Sequence, residues 1–449
     1  MQIKIPTKIQ NIYQTLTSHG FEAYFVGGFV RDALLNRSTY DIDITTNALP
    51  EQILTLFEKE FKCLTIGAKH GTITLLLPSY QVEITTYRMN EVYCNHRKPS
   101  QLKFATQLEE DLKRRDFTIN AIAYHPDEGF IDPFHGIDDL NEGILRCVGE
   151  ANERFNEDAL RILRGVRFYH RFHLKIEEKT QQAIRQNANL LGLISIERIR
   201  DELFKMLNGH QPDLLLHLKE CQLMEILLPD LIPTIGYQQF SRWHQYDVFM
   251  HTNIALNHAP SKLRAQVALL FHDIGKCYTQ VFDGKKIAHY PNHAIISQKI
   301  ATKVLKSWHC SNTFIEDVGK LIRFHDTYQD GSRGKCRNLL YELNNDFELT
   351  RDCLLIQLAD NQAKNPAMVE KANQNILDTF KILEQMEKEG DIVDLKHLAI
   401  QAKDCIAIGL QKRQIKEALD YCIALVLQDI KNNQPEFLIE EIKKIKEIA

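Results

Sequence analysis

The chain has 449 residues, 44% of them hydrophobic and 25% charged, and a formal net charge of −4. This composition excludes a disordered or fibrous chain, is long enough for two to four domains, and carries no chain-wide basic excess that would advertise a polyanion partner. No apolar run approaches the length of a membrane span, MQIKIPTKIQ lacks the pattern of a signal peptide, and the ten cysteines show no CxxC pair, so a cytoplasmic location with packed or free thiols is expected.

In chain order, AYFV at 23–26 reads as a strand, followed by Gly27-Gly28 and then by FVRDALL with helical spacing. Two glycines at a strand-to-helix junction let the backbone approach a bulky anion while the N–H groups of the new helix point at it. Arg31, expected on the first turn of that helix, adds a guanidinium to such a phosphate cradle. The next strand signal is DIDI, Asp41 to Ile44. In a strand Asp41 and Asp43 share one face while Ile42 and Ile44 face a core. Two like charges that close together are comfortable only with a cation between them. A metal site beside a phosphate cradle is the equipment of phosphoryl or nucleotidyl transfer. GTITLLL and QVEITTY continue the strands, and Glu83 is the candidate third carboxylate; a cross-strand partnership with Arg88 is the competing reading. HRKPSQLK (His96 to Lys103) and LKRRDF (Leu112 to Phe117) are local basic patches that a polyanion would need, and AIAYH with FIDPF adds one more hairpin-like unit.

Beyond about Gly149 helical periodicity dominates, in NEDALRILRGVRFYHRF, IERIRDELFKMLNG and AQVALLFHDIGK, and amphipathic Lys/Glu-rich helices close the chain from about Asp391. On one helix Glu157 and Arg161 form an i,i+4 pair with the acid first, and Asp158 and Arg161 an i,i+3 pair on one face. A carboxylate accepts hydrogen bonds and a guanidinium only donates. Such a pair matches the amino donor and ring-nitrogen acceptor of cytosine and adenine, and leaves polar groups unmatched against guanine and uracil. A surface salt-bridge ladder is the competing reading. Arg164 and Arg167 continue the helix toward phosphates or an RNA backbone. His251, His272-Asp273 and Asp360 follow the order H…HD…D in helical context, an imidazole–carboxylate cage for a divalent transition metal or Mg²⁺, with His293 and His325 available to a second ion.

Four ordered motifs, GGFVRDALL…DIDI, HGTITL to VEITTYR, LKRRDFTINAIAYH and ERFNEDALRILRGVRF, resemble those of the class II tRNA nucleotidyltransferases, the family of CCA-adding enzymes and bacterial poly(A) polymerases. The body motif resembles the HD phosphohydrolase superfamily. The resemblance implies an α+β fold: a polymerase-beta-like mixed-sheet head over 1–145, then all-α neck (146–210), HD-type body (211–385) and tRNA-binding tail (386–449). It implies template-independent addition of CCA to tRNA from CTP and ATP, with Asp41 and Asp43 holding two Mg²⁺ ions and Glu83 completing the carboxylate set. Gly27, Gly28 and Arg31 would meet the nucleotide; Arg115 and Asn120 would contact triphosphate and ribose, and Asp116 would accept from a ribose hydroxyl. Glu157, Asp158 and Arg161 would read the base, beside Arg164 and Arg167, while body and tail measure the acceptor and T arms of tRNA. Poly(A) synthesis, and addition of A only or CC only, are the alternatives; an HD phosphohydrolase side activity is compatible with all of them. The segment between Arg88 and Arg114 corresponds to the family's mobile loop and is full length, with Arg97 and Pro99 in place, which favours complete CCA addition. Asn95 stands where that family usually has aspartate.

Overall fold

This computed structural model describes residues 2–89, 93–94, 98–99, 104–208 and 212–448, with backbone alone at 93–94, 98–99 and 445–448. Asn95 and Arg97 lie outside the described residues. The chain divides into two compact units, 1–205 with 217–227, and 206–216 with 228–449.

The first unit is built on one seven-stranded sheet. Its strands are β1 (Ala23–Val26), β2 (Asp41–Thr46), β3 (Lys62–Leu64), β4 (Thr72–Leu76), β5 (Gln81–Thr86), and the pair Ala123–His125 and Gly129–Ile131. They lie in the order β3-β4-β5-β2-β1, then Ala123–His125 and Gly129–Ile131. β2 and β5 run parallel and the remaining neighbours antiparallel, so the sheet is mixed, as expected. The alternation in DIDI does what a strand's two-residue period demands. Ile42 and Ile44 are buried with Phe25, Ile73, Val82 and Ile84 against Ile9, Ile12 and Leu16 of helix α1 (Thr7–Ser18). Asp41 and Asp43 are left on the opposite face. The register sets Asp43 directly across from Glu83. Helix α2 (Gly27–Leu34) starts at Gly27 itself, with no turn after β1. Arg31 therefore stands beyond the first turn, one turn later than its expected place.

A second difference concerns NEDALRILRGVRFYHRF. It forms two helices, Ala151–Glu157 and Leu160–Phe172, with Asp158 extended between them (φ −145°, ψ 102°). Asp158 and Arg161 are thus not two positions on one helical face. The break is stabilised locally, because the Asp158 carboxylate accepts from Leu160 N–H at 3.1 Å, as a capping residue does.

The second unit is helical. Its principal helices are Val248–Asn257, Leu263–Phe271, His293–Ser307, Asn312–Phe324, Phe347–Gln362 and Pro366–Glu389, interrupted among the described residues by one short strand pair, Val281–Phe282 with Ala288–His289. That hairpin is the one departure from an all-α body that matters below. Past Asp391, the helices Ala402–Ala407, Arg413–Gln428 and Pro435–Ile448 bury Ile400, Cys405, Cys422, Val426 and Leu438 in a small core of their own. Among the described residues no helix is long and apolar enough to cross a membrane.

Candidate active site and metal centre

The first unit holds an open cleft of about 860 Å³. Gly27, Gly28, Arg31, Asp41, Asp43, Glu83, Arg115, Asp116, Asn120, Asp158, Arg161, Arg164 and Arg167 all line it, so the sequence-derived set, apart from Glu157, meets in one place. Its lining has ten Lys or Arg and six Asp or Glu, in a chain whose net charge is −4. The basic excess absent from the whole chain is concentrated here.

Gly27 is required by geometry. Its φ is +65°, and a Cβ there would sit 3.0 Å from Arg115 Nη1 and 3.1 Å from Asp43 Oδ2. The Asp43 carboxylate and the Arg115 guanidinium occupy the space a side chain would fill. Burial pushes the Asp43 carboxyl above its ordinary range; Arg115, the Gly28 N–H and Arg31 oppose that shift, and Asp41 adds to it. Glu83 is raised as well, by burial and then by Asp43. Two neighbouring carboxylates that each resist ionisation form a site in want of a cation. Ionised, with oxygen donors only, Asp41 and Asp43 suit a hard divalent ion that takes its remaining ligands from water and substrate phosphates. Glu83 accepts from Gln81 Nε2 at 3.3 Å, while the Arg88 guanidinium donates to the His70 carbonyl at 3.1 Å.

Behind the carboxylates the arginines are held rigidly. Arg31 Nη1 donates to Asn120 Oδ1 at 2.5 Å, its other edge to Asp32, and its guanidinium lies 4.4 Å from the Phe172 ring centroid. Asn120 Nδ2 donates to Asp116 Oδ1 at 2.9 Å, and Arg164 Nε to Asp116 Oδ2 at 2.7 Å. Burial opposes ionisation of Asp116, but Arg164 and Asn120 prevail and hold its carboxyl well below the usual range. Asp116, expected to await a ribose hydroxyl, is thus bonded to both. Arg167 is bound to Glu202 at 2.7 Å.

Asp111 and Arg198 escaped the sequence reading, as did Glu202. Asp111 is fully buried and accepts from Thr45 Oγ1, Arg88 N, Arg114 and Arg115. It ties β2 to both arginines of the RRD motif. Arg198, from helix Ile196–Leu207, holds Asp158 Oδ2 at 2.8 Å. The expected Glu157–Arg161 pair is present at 2.6 Å, and Arg161 Nη2 also donates to the Arg114 carbonyl at 2.7 Å. Arg198 has no local sequence signal, since its partner is 40 residues away; Asp111 has Arg114 and Arg115 close by, but its bonds to Thr45 and Arg88 span 66 and 23 residues and nothing local marks it as buried.

The second unit brings together the H…HD…D set. His251, His272, Asp273 and Asp360 present ligand atoms within 4.8 Å of one another, as do Asp273, His293 and His325. Among the described residues only these two groups bring three such atoms so close. Asp247 caps helix Val248–Asn257 through Met250 N–H, which fixes His251 on its second turn. Gly275 lets helix His293–Ser307 approach, since a Cβ there would lie 2.2 Å from the His293 carbonyl oxygen. The Nδ1 atoms of His251, His272, His293 and His325 face the carbonyls of Ala363, Leu269, Tyr290 and Ile322 at 3.2, 2.7, 2.9 and 2.7 Å. A carbonyl only accepts, so each Nδ1 carries the hydrogen and each Nε2 is turned to the carboxylates. Imidazoles that bind a metal donate their other ring N–H to a carbonyl or carboxylate in this way. Asp273 Oδ2 lies 3.3 Å from His251 Nε2, and its Oδ1 lies 3.4 Å from His293 Nε2; Oδ1 and His293 Nε2 are buried without a hydrogen-bond partner. Orphaned acceptors converging in this way are a donor set that would hold a divalent cation, and Asp273 is common to both groups. Burial disfavours a proton on His272, yet Asp273 and Asp360 push its pKa up to about 10, the response of an imidazole placed in a cation's position.

Three stretches of the chain match known families. Residues 23–146 match the family described as Poly A polymerase head domain. The cleft residues from Val26 to Asn120 fall inside that match, and those from Asp158 to Lys205 lie beyond it. Residues 173–234 match the probable RNA and SrmB-binding site of polymerase A, and 244–364 match the HD domain, so the resemblance drawn from the motifs is borne out. A CCA-adding enzyme of Lactobacillus helveticus is 49% identical over 199 residues, 44% of this chain and 49% of the relative. One of Streptococcus agalactiae is 48% identical over 206 residues, 45% of this chain and 50% of the relative. The chain thus spans about half the length of the curated relatives it matches. The crystal structure of the Bacillus stearothermophilus CCA-adding enzyme in complex with CTP aligns over 99% of both chains at 27% identity, with a TM-score of 0.74. The poly A polymerase head and the HD domain both imply use of divalent metal ions.

Proposed function

We propose that the chain is a template-independent tRNA nucleotidyltransferase that adds CCA to the tRNA 3′ end from CTP and ATP. The observation that carries this reading is the cleft itself, where Asp41, Asp43 and Glu83 stand opposite a wall of fixed arginines beside Asp158 and Arg161. It is supported by the relatives' names and by the CTP in the B. stearothermophilus structure. On this reading 1–145 is the catalytic head, 146–210 the base-recognition neck, 211–385 the HD-type body and 386–449 the tRNA-binding tail, working in the cytoplasm.

Asp41 and Asp43 would hold Mg²⁺, with Glu83 beside them; when bound, the ion supplies positive charge for the triphosphate and acidifies the attacking 3′-hydroxyl. The chain's own part is positioning. Arg115, braced by Asp111, and Arg164, braced by Asp116, face the phosphates without needing to be ordered first. Asp158 keeps acceptor sites beyond those used by Leu160 and Arg198, because a carboxylate offers about four. Arg161 keeps its Nε–H, as its bonds to Arg154, Glu157 and Arg114 run through Nη1 and Nη2. Acceptor beside donor matches cytosine and adenine and mismatches guanine and uracil. A mismatched polar group in a desolvated pocket costs about 1–3 kcal/mol.

The test uses purified protein, Mg²⁺ and a tRNA transcript lacking CCA, with each nucleoside triphosphate alone and in combination, followed by sequencing of the product ends. Addition of C, C and A followed by a halt is the expected result. Long A tails would make the protein a poly(A) polymerase, and arrest after CC or after a single A a partial enzyme. Asp43→Ala should abolish incorporation, and continued incorporation would remove the head assignment.

A second activity is favoured by the paired clusters around Asp273. We read them as a two-ion phosphohydrolase centre able to clear phosphate from blocked RNA 3′ ends. Phosphatase activity that is sensitive to chelation and lost in Asp273→Ala is the outcome that supports it.

A further inference from the structure

The body carries a surface that neither reaction accounts for. Phe240 and Phe282 are 58% and 54% exposed, and their rings meet edge to face at 5.6 Å. Backbone bonds hold them there: Phe282 pairs with Ala288 across the short hairpin, and Ala288 N–H donates to the Phe240 carbonyl at 3.0 Å. Val281, the preceding residue of the strand, is exposed too, and Trp243, also exposed, lines the cleft over the Asp273 clusters. Large apolar side chains kept in water on a fixed backbone mark a contact surface.

The surroundings say what kind. Lys285 and Lys286 cap the hairpin, and the Arg242 guanidinium lies 5.9 Å from the Trp243 ring centroid. Asp283, the acid among them, accepts from Lys285 and Ile287 N–H with Oδ1 and faces His289 with Oδ2. The groove along Val281 and Phe282 shares His289 and Tyr290 with the cleft over the Asp273 clusters, whose walls also include Trp243, Lys276 and Arg323. Aromatic faces interleaved with cations, running into a phosphate-handling centre, match the requirements of single-stranded nucleic acid.

We propose that this surface seats the last bases of a single-stranded RNA whose 3′-phosphate enters the Asp273 centre; the proposal rests on the hydrolase reading of that centre. Bases stack on Phe282, Phe240 and Trp243, and Arg323 faces the terminal phosphate, while Lys276 holds Asp273 at 2.6 Å. The reaction is hydrolysis. A water oxygen bonds to phosphorus as the bond from phosphorus to O3′ breaks. The departing O3′ keeps the bonding pair and takes a proton from that water, leaving inorganic phosphate and a free 3′-hydroxyl. That hydroxyl is the group a nucleotidyltransferase must have on its acceptor. Mononucleotides, which cannot span the surface, are poor substrates.

The full-length protein, supplied with Mn²⁺, is assayed on a 3′-phosphorylated RNA hexamer, the matching 3′-mononucleotide and p-nitrophenyl phosphate. The hexamer KM should lie at least about tenfold below that of the mononucleotide, since one stacked base is worth roughly this much. Phe282→Ala should raise the hexamer KM about tenfold, Phe282→Trp should restore it, and neither should alter turnover of p-nitrophenyl phosphate. Independently of turnover, a hexamer with a photoreactive uridine next to its 3′ end should crosslink to Phe240, Phe282 or Trp243. Hydrolysis of all three substrates with no preference for the hexamer and no effect of Phe282→Ala overturns the RNA surface alone. Crosslinks confined to other residues do the same, as does a concentration-dependent dimer abolished by Phe282→Ala, which would make the patch a self-contact. If none of the three is hydrolysed, the hydrolase reading falls and takes this proposal with it.

Discussion

Gly27→Ala tests whether the cradle is built as the geometry requires. At φ +65° an alanine adopts the left-handed region, which costs about 1–2 kcal/mol for an L residue. Its Cβ would also stand 3.0 Å from Arg115 Nη1 and 3.1 Å from Asp43 Oδ2, a few tenths of an ångström inside ordinary contact. Both neighbours must give way, and they are the groups proposed to handle the triphosphate and the metal. A misplacement of about 1 Å costs roughly a hundredfold in rate, so a shift of a few tenths on two groups at once should cost about tenfold or more. Gly28→Ala is the internal control, because its Cβ finds Asp43 Oδ2 at 3.5 Å and Arg31 Nη2 at 3.6 Å, ordinary contacts. Single-turnover CMP incorporation and thermal unfolding are measured for both variants. Gly27→Ala should lose about 1–2 kcal/mol of stability together with the rate, and Gly28→Ala much less of either. Equal effects of the two substitutions, or a Gly27→Ala protein at full rate, would refute the reasoning.

Arg198→Ala removes the clamp on Asp158 and should raise KM for both CTP and ATP about three- to tenfold with little change in kcat, the signature of lost uniform binding; an unchanged KM would show that Asp158 needs no brace. Asp273→Ala deletes the carboxylate common to both body clusters, so bound divalent metal, assayed by elemental analysis, should fall at both positions together while incorporation by the head persists. The Asp111 and Asp116 carboxyls are held below their unfolded value near 3.9, so they bind fewer protons folded than unfolded. Their stabilisation is complete above that value and is lost as pH falls below about 4. Urea unfolding by circular dichroism between pH 5.5 and 3 should show the loss. Asp116→Asn should flatten the slope, and an unaltered slope would count against the Arg164 contact as its source.

The sheet and its carboxylates were legible because period-two alternation and a buried parallel pair leave a plain trace in DIDIT and VEITT. The HD set was legible because four ligands in a fixed order are distinctive even when far apart. What stayed hidden was tertiary. The break at Asp158 contains neither glycine nor proline, and both flanking helices have apolar residues at helical spacing, so the periodicity runs through it unmarked. Asp111 sits in the run LEEDLK, where a third acidic residue looks like one more solvated charge until the fold turns it inward. The engagement of Asp116 by Arg164 depends on a helix 48 residues away packing against the RRD motif. Sequence identified which groups converge on the cleft, and packing decides which of them already have partners.

The chain leaves its first unit after residue 205 and returns to it at 217–227, where His217 Nε2 meets the Tyr169 hydroxyl at 2.8 Å. That itinerary sets an order of events during synthesis. At roughly 5–20 residues per second the ribosome needs about 1–4 s to make the stretch from 206 to 227. For that interval the helix Leu160–Phe172 waits for a segment not yet emerged, with half-finished surface open to wrong partners. It also follows that no single cut yields both units whole, and a fragment meant to isolate the cleft of the first unit must run through residue 227.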